Sequence, residues 1–164
     1  DAFDINFIDD TWKGRIIIMQ LSVKRLNLKA QIPTRATSGS AGMDLRALLE
    51  QPLVVPAGGR VTIPTGIAIQ IPEPDLVGLV YARSGLAVKY GLTLSNCVGV
   101  IDSDYTGEIR VGMVNLSDAD YTVQPGERIA QLVISPIVIA EPVEVEQLGD
   151  TTRGDGGFGS TGRI

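Results

Sequence analysis

The stretch "RVTIPTGIAIQIP", residues 60–72, constrains the fold more tightly than any other part of the chain, because Val61, Ile63, Ile67, Ile69 and Ile71 share one parity of a period-two pattern. Successive side chains of an extended strand point to opposite faces, so this spacing makes a strand with one face in a core; a helix would scatter the same residues around its axis. "EIRVGMVNL" repeats the pattern with Ile109, Val111 and Met113. The turn-forming clusters "PAGG", "IPEPD", "LSDAD" and "QPGE" cut the chain into many short strands, which is the pattern of an all-β sandwich, barrel or jelly roll. "SGLAVKYGL" departs from it. Ser84 reads as a helix cap, Leu86, Ala87 and Lys89 suit a helix, and Gly91 supplies the stop, so one short helix is expected there.

A chain of 164 residues is most simply one domain around one core. Residues 1–18, "DAFDINFIDDTWKGRIII", differ in texture from the rest of the chain, and Met19 would make a natural initiator, so they read as an added extension ahead of a β domain over 19–150. Residues 151–164 form a glycine-rich arm whose "RGDGGFGSTG" is expected to stay loose until a ligand orders it. Net charge is -5, from 14 Lys and Arg against 19 Asp and Glu, which argues against a general nucleic-acid or anionic-membrane surface. Any phosphate site must therefore be local. The chain has no histidine, which removes Ser-His and Cys-His nucleophile pairs and the commonest zinc ligand. Its single cysteine, Cys97, permits no internal disulfide and reads as a core residue. The apolar runs are too short to span a bilayer and no signal-peptide pattern is evident, so a soluble, cytoplasmic protein is expected.

Four stretches carry candidate chemistry. The tail has part of a P-loop, with Gly154 and Gly159 at the right spacing, but Ser160 stands where the lysine belongs. Glycine amides with Arg153, Ser160 and Thr161 could still wrap a polyphosphate, and Phe158 could stack on a planar ring; the alternative is a disordered terminus. "GVIDSDYTGEI" fails as a calcium loop because Met113 replaces the twelfth-position glutamate, and it reads instead as a hairpin turning at "SDYTGE". Asp102 at that turn either orients a water as general base or bonds its own turn amides. "YARSGL" puts Arg83 and Ser84 at a helix start, a place that favours anions, although capping alone accounts for Ser84. "SAGMDL" holds Asp44 after a glycine turn, and "PGERIAQL" holds Gln131 on a strand, either as a structural bridge or as a ligand contact.

Taken in order, "AGMDL", "ARSGLAVKYGL", "NCVGVIDSDYTGE", "PGERIAQLV" and "RGDGGFGSTG" resemble the five motifs of the homotrimeric deoxyuridine triphosphatases (dUTPases), over about residues 22–162. Met43 stands where that family more often has tyrosine. The resemblance implies a jelly-roll subunit, a homotrimer whose active sites draw on all three chains with a swapped C-terminal tail, and magnesium-dependent hydrolysis of dUTP to dUMP and pyrophosphate. It implies that Asp102 positions the attacking water. Asn96 and the backbone from Val98 through Gly99, Val100 and Ile101 would read the uracil edge, and Tyr105 would lie under the deoxyribose. Ser84, with Arg83 and Gly85 beside it, and Gln131 would hold phosphate oxygens, while Asp44 supports the site near the metal's water shell. Arg153, Gly159, Ser160 and Thr161 would grip the outer phosphates and Phe158 would cover the base.

The residues agree with this on their own terms. A polyanion bound by an acidic protein needs Mg2+ and a few placed cations, and magnesium usually binds through phosphates and water, so no direct protein ligand is expected. With no histidine and no covalent nucleophile in a motif, water attacks directly, and one carboxylate serves as base. Two rivals stand beside this reading. dCTP deaminases share the fold but carry "RSS" and a further arginine, where this chain has Gly85 and Val88. The other is a non-catalytic nucleotide-binding or regulatory protein. Glu50, Glu73 and the acidic run Glu141 to Glu146 read as solvated charge.

Overall fold

A computed structural model describes residues 19–157. Phe158, Gly159, Ser160 and Thr161 lie outside the described residues, as does the extension 1–18. The described chain is ten strands and one helix: β1 Ser22–Arg25, β2 Met43–Arg46, β3 Leu53–Val55, β4 Arg60–Gln70, β5 Leu76–Ala82, α1 Ser84–Tyr90, β6 Leu92–Leu94, β7 Gly99–Ile101, β8 Glu108–Asn115, β9 Tyr121–Val123 and β10 Arg128–Pro136. Two four-stranded antiparallel sheets, ordered β1-β4-β8-β6 and β2-β10-β5-β7, face each other in a jelly roll, and β3 pairs with β9 in a separate ribbon.

The alternating residues do what their spacing requires. Ile63, Ile67, Ile69, Ile109, Val111 and Met113 are all buried between the sheets, where Leu45, Ile129 and Leu132 meet them from the opposite side. Full burial of one such side chain stabilises the fold by roughly 1.5–3 kcal/mol. Val61 is only half-buried, and Ile71 is buried just past the end of β4. The pairing of β4 with β8 shifts register between Pro64 and Ala68. Gly66 sits inside that irregularity at φ 66°, where a Cβ would lie 2.6 Å from Leu48 and 2.8 Å from Ala30, so only glycine fits.

Three sequence expectations change. "SDYTGE" is not a hairpin turn: β7 pairs with β5 in one sheet while β8 pairs with β4 and β6 in the other, so the segment crosses between sheets. Two consecutive apolar runs suggested adjacent partners, but the three residues of β7 find their hydrogen bonds on β5, leaving β7 at an edge. Cys97 is exposed, not a core residue, and takes φ 63° in the tight turn between β6 and β7. Ser84 is the first residue of α1, so it is not the cap. Arg83 holds the N-cap position, and no side chain caps the helix. The stop is as read: Gly91 adopts the left-handed conformation at φ 70° and returns its amide to Ala87.

Candidate functional site

A cleft of about 280 Å³ opens where β2, the loop before it, the start of α1 and β10 converge. Its walls include Ser40, Gly42, Asp44, Arg83, Ser84, Gly85, Arg128 and Gln131. Three of the five motifs thus meet on one protomer. The sheet accounts for this: Gln131 lies opposite Asp44 on one side and Tyr81 on the other, which brings the end of β5, and Arg83 after it, to the same level.

Asp44 is the electrostatic centre of the cleft. Its side chain is only 14% exposed, and each oxygen takes a different guanidinium, Oδ1 from Arg83 Nε at 3.2 Å and Oδ2 from Arg128 at 3.1 Å. Arg83 also donates to the Arg128 carbonyl at 3.2 Å. Among the cleft-lining residues two cations therefore face one carboxylate, a net of one positive charge suited to an anion. Gln131 donates from Nε2 to the Ala82 carbonyl at 3.0 Å. Its Oε1 lies over Gly42, where a Cβ would come within 2.7 Å of it. The amide oxygen is thereby turned against the backbone, and the second Nε2 hydrogen is left for a ligand acceptor. Gly85 has nothing within 4 Å of the position a Cβ would take, so space is left open beside Ser84.

Motif three makes a separate place. Asn96, Gly99, Val100 and Ile101, with Val80, Arg110 and Gly112, line a second cavity of about 230 Å³ against the edge strand β7. Gly99 brings this backbone close to β5, since a Cβ there would stand 3.0 Å from Val80 Cβ. An edge strand presents backbone donors and acceptors that no neighbour uses, the groups a flat, hydrogen-bonding ring needs. Asp102 follows β7 in a turn closed by its own carbonyl accepting from the Tyr105 amide at 3.1 Å. Its carboxylate makes no hydrogen bond among the described residues, so the turn-bonding alternative does not occupy it. Tyr105 is 44% exposed, its hydroxyl donating to the Glu108 carbonyl at 3.0 Å, and Gly107 leaves room for the ring.

The two places are not one site on one chain. Ile101 pairs with Gly78, so Asp102 falls at the level of Val77, six residues of β5 before Arg83, or roughly 20 Å at 3.3 Å per residue. Arg153 is exposed in a turn and is not among the residues lining either cavity.

Two residues of the cleft escape a sequence reading. Period-two parity puts Arg128 and Gln131 on opposite faces of β10, but a bulge between Arg128 and Ala130 resets the parity and turns both into the cleft. Gly42 reads as a turn glycine, while its contact with Gln131 exists only once β2 and β10 are paired. Behind the cleft, Tyr121 donates to Glu127; burial first, and then that hydrogen bond, hold its phenol well above the ordinary tyrosine range.

An arginine-lined cleft at one end of β5 and an open backbone edge toward the other place this jelly roll among β proteins equipped to hold an anion and a flat hydrogen-bonding ring. The dUTPase family model matches residues 28–162, and the chain belongs to that family. The deoxyuridine 5'-triphosphate nucleotidohydrolase of Glaesserella parasuis serovar 5 is 50% identical over 147 residues, 90% of this chain and 97% of that protein. The enzyme of the same name from Escherichia coli O45:K1 is 47% identical over 139 residues, 85% of this chain and 92% of its own. Among solved structures, Staphylococcus bacteriophage 80alpha dUTPase with dUPNHPP superposes with a TM-score of 0.79 at 31% identity, covering 88% of this chain and 99% of that one. A dUTPase from phage phi11 of S. aureus, solved with attention to the coordination of a structural Mg(II) ion, gives 0.72 at 27% identity, covering 80% and 100%.

Proposed function

We propose that the chain hydrolyses dUTP to dUMP and pyrophosphate, limiting uracil in DNA and supplying dUMP for dTMP synthesis. The observation that carries the mechanism is the division of chemistry along β5. The cleft carboxylate, Asp44, has both oxygens committed to arginines, while Asp102, whose carboxylate is unengaged among the described residues, stands at the other end. A base and an anion cleft roughly 20 Å apart by strand geometry cannot serve one phosphorus within a protomer. The separation calls for more than one protomer, and membership of the dUTPase family supports a homotrimer, the cleft of one protomer receiving the phosphates of a nucleotide whose base lies on the β7 edge of another.

In that assembly Asp102 accepts a proton from water as its oxygen bonds to the α-phosphorus and the bond to the bridging oxygen breaks, releasing pyrophosphate. Arg83, Ser84 and Gln131 donate to phosphate oxygens, and the Asn96 side chain with the Gly99 to Ile101 backbone bonds the uracil edge. Tyr105 backs the sugar. The arm 151–164 closes over the nucleotide of a neighbouring subunit, with Arg153, Ser160 and Thr161 on the outer phosphates and Phe158 over the base. The donor set fits magnesium carried on the triphosphate: a carboxylate already neutralised by two arginines suits the ion's water shell better than direct coordination. When bound, that ion offsets phosphate charge. A panel of nucleoside triphosphates scored for pyrophosphate, beside a native mass measurement, tests the proposal. Release confined to dUTP by a trimer is expected; ammonia from dCTP, or an active monomer, would overturn it.

A further inference from the structure

Arg128 contacts neither phosphate nor base in the reaction proposed above, yet the fold takes trouble to place it. The bulge at the start of β10 turns it from its expected face into the cleft, where its guanidinium holds Asp44 Oδ2 at 3.1 Å and its carbonyl accepts from Arg83 at 3.2 Å. A bare carboxylate would repel a polyphosphate. With Arg83 alone, one oxygen of Asp44 would face the incoming anion and the lining residues would sum to no net charge. Resting on the dUTPase reading, we infer that Arg128 is a positioning residue: it is the counter-ion that covers Asp44, leaving the cleft one net positive charge and Arg83 aimed at the phosphates.

The charge arithmetic makes this testable apart from ordinary structural support. Arg128→Gln takes the cleft from one positive charge to none, Arg128→Lys keeps it, and Asp44→Asn with Arg128→Gln restores it by removing the anion as well. Binding of a non-hydrolysable imido analogue of dUTP by calorimetry, with kcat and KM for dUTP beside it, reads the result. Arg128→Gln weakens binding about tenfold or more, the scale of a lost hydrogen bond to a charged group. Arg128→Lys binds within about threefold of wild type, because the net charge is kept. The double variant binds more tightly than Arg128→Gln, although it also gives up the contact of Asp44 with Arg83. In Arg128→Gln the loss falls more on KM than on kcat.

Near-normal binding by Arg128→Gln would overturn the inference, and so would Arg128→Lys binding as weakly as the glutamine variant. A double variant no tighter than Arg128→Gln would mean that Arg128 holds phosphate itself, which also overturns it. Should Arg128→Gln fail to fold, the lysine variant decides against wild type: binding within about threefold supports the inference, and a loss of about tenfold or more overturns it. A wild type that does not bind the analogue would instead count against the dUTPase reading.

Discussion

Gly42→Ala tests the cleft's construction at a position that touches no charged group. The added Cβ would stand 2.7 Å from Gln131 Oε1 and 3.0 Å from Gln131 Cβ. The carboxamide can swing away, but the Cβ belongs to the β10 backbone, so the two strands must part by a few tenths of an ångström. Swinging away breaks the 3.0 Å bond to the Ala82 carbonyl, worth about 0.5–1.5 kcal/mol in stability. It also withdraws a donor from a charged ligand, worth about 1.5–3 kcal/mol, or roughly ten- to hundredfold in kcat/KM. The assay is steady-state pyrophosphate release from dUTP, with thermal melts alongside. Gly39→Ala is the control, since nothing lies within 4 Å of a Cβ there, and it should match wild type in both measurements. Gly42→Ala with wild-type kcat/KM would refute the claim that Gln131 is held by this glycine as a phosphate donor.

Asp102→Asn should lower kcat by about two to four orders of magnitude, the range of general-base catalysis, with little change in the binding of an imido analogue by calorimetry. Truncation after Thr151 should leave a folded trimer that still binds nucleotide weakly and turns over poorly; native mass and single-turnover rates check both halves. Tyr121→Phe addresses pH. Because the folded state keeps the Tyr121 proton above its ordinary range, wild type holds that stability below the unfolded value of about 10 and loses it as pH rises toward the folded one. Urea midpoints should therefore fall more steeply with alkaline pH in wild type than in Tyr121→Phe.

Much of the fold was legible because its core obeys a local rule. Ile63, Ile67, Ile109 and Met113 could be assigned to the interior from parity alone, and Gly91 to a helix end from its tolerance of positive φ. Asp44, Arg83, Ser84 and Gln131 were legible as chemistry and do meet in one cleft. What stayed hidden depends on pairing. The partner of β7 is set by hydrogen bonds to β5, far away in sequence, so adjacent apolar runs falsely suggested a hairpin. Arg128 was lost to a one-residue bulge that no parity count detects, and Cys97 because a small apolar residue in a tight turn looks like one in a core.

The central claim is that water, steered by Asp102, attacks the innermost phosphorus. Turnover of dUTP in heavy-oxygen water, followed by mass spectrometry of both products, tests it directly. One labelled oxygen in dUMP and none in pyrophosphate is the predicted result. Label in pyrophosphate would place the attack on another phosphorus and contradict the account.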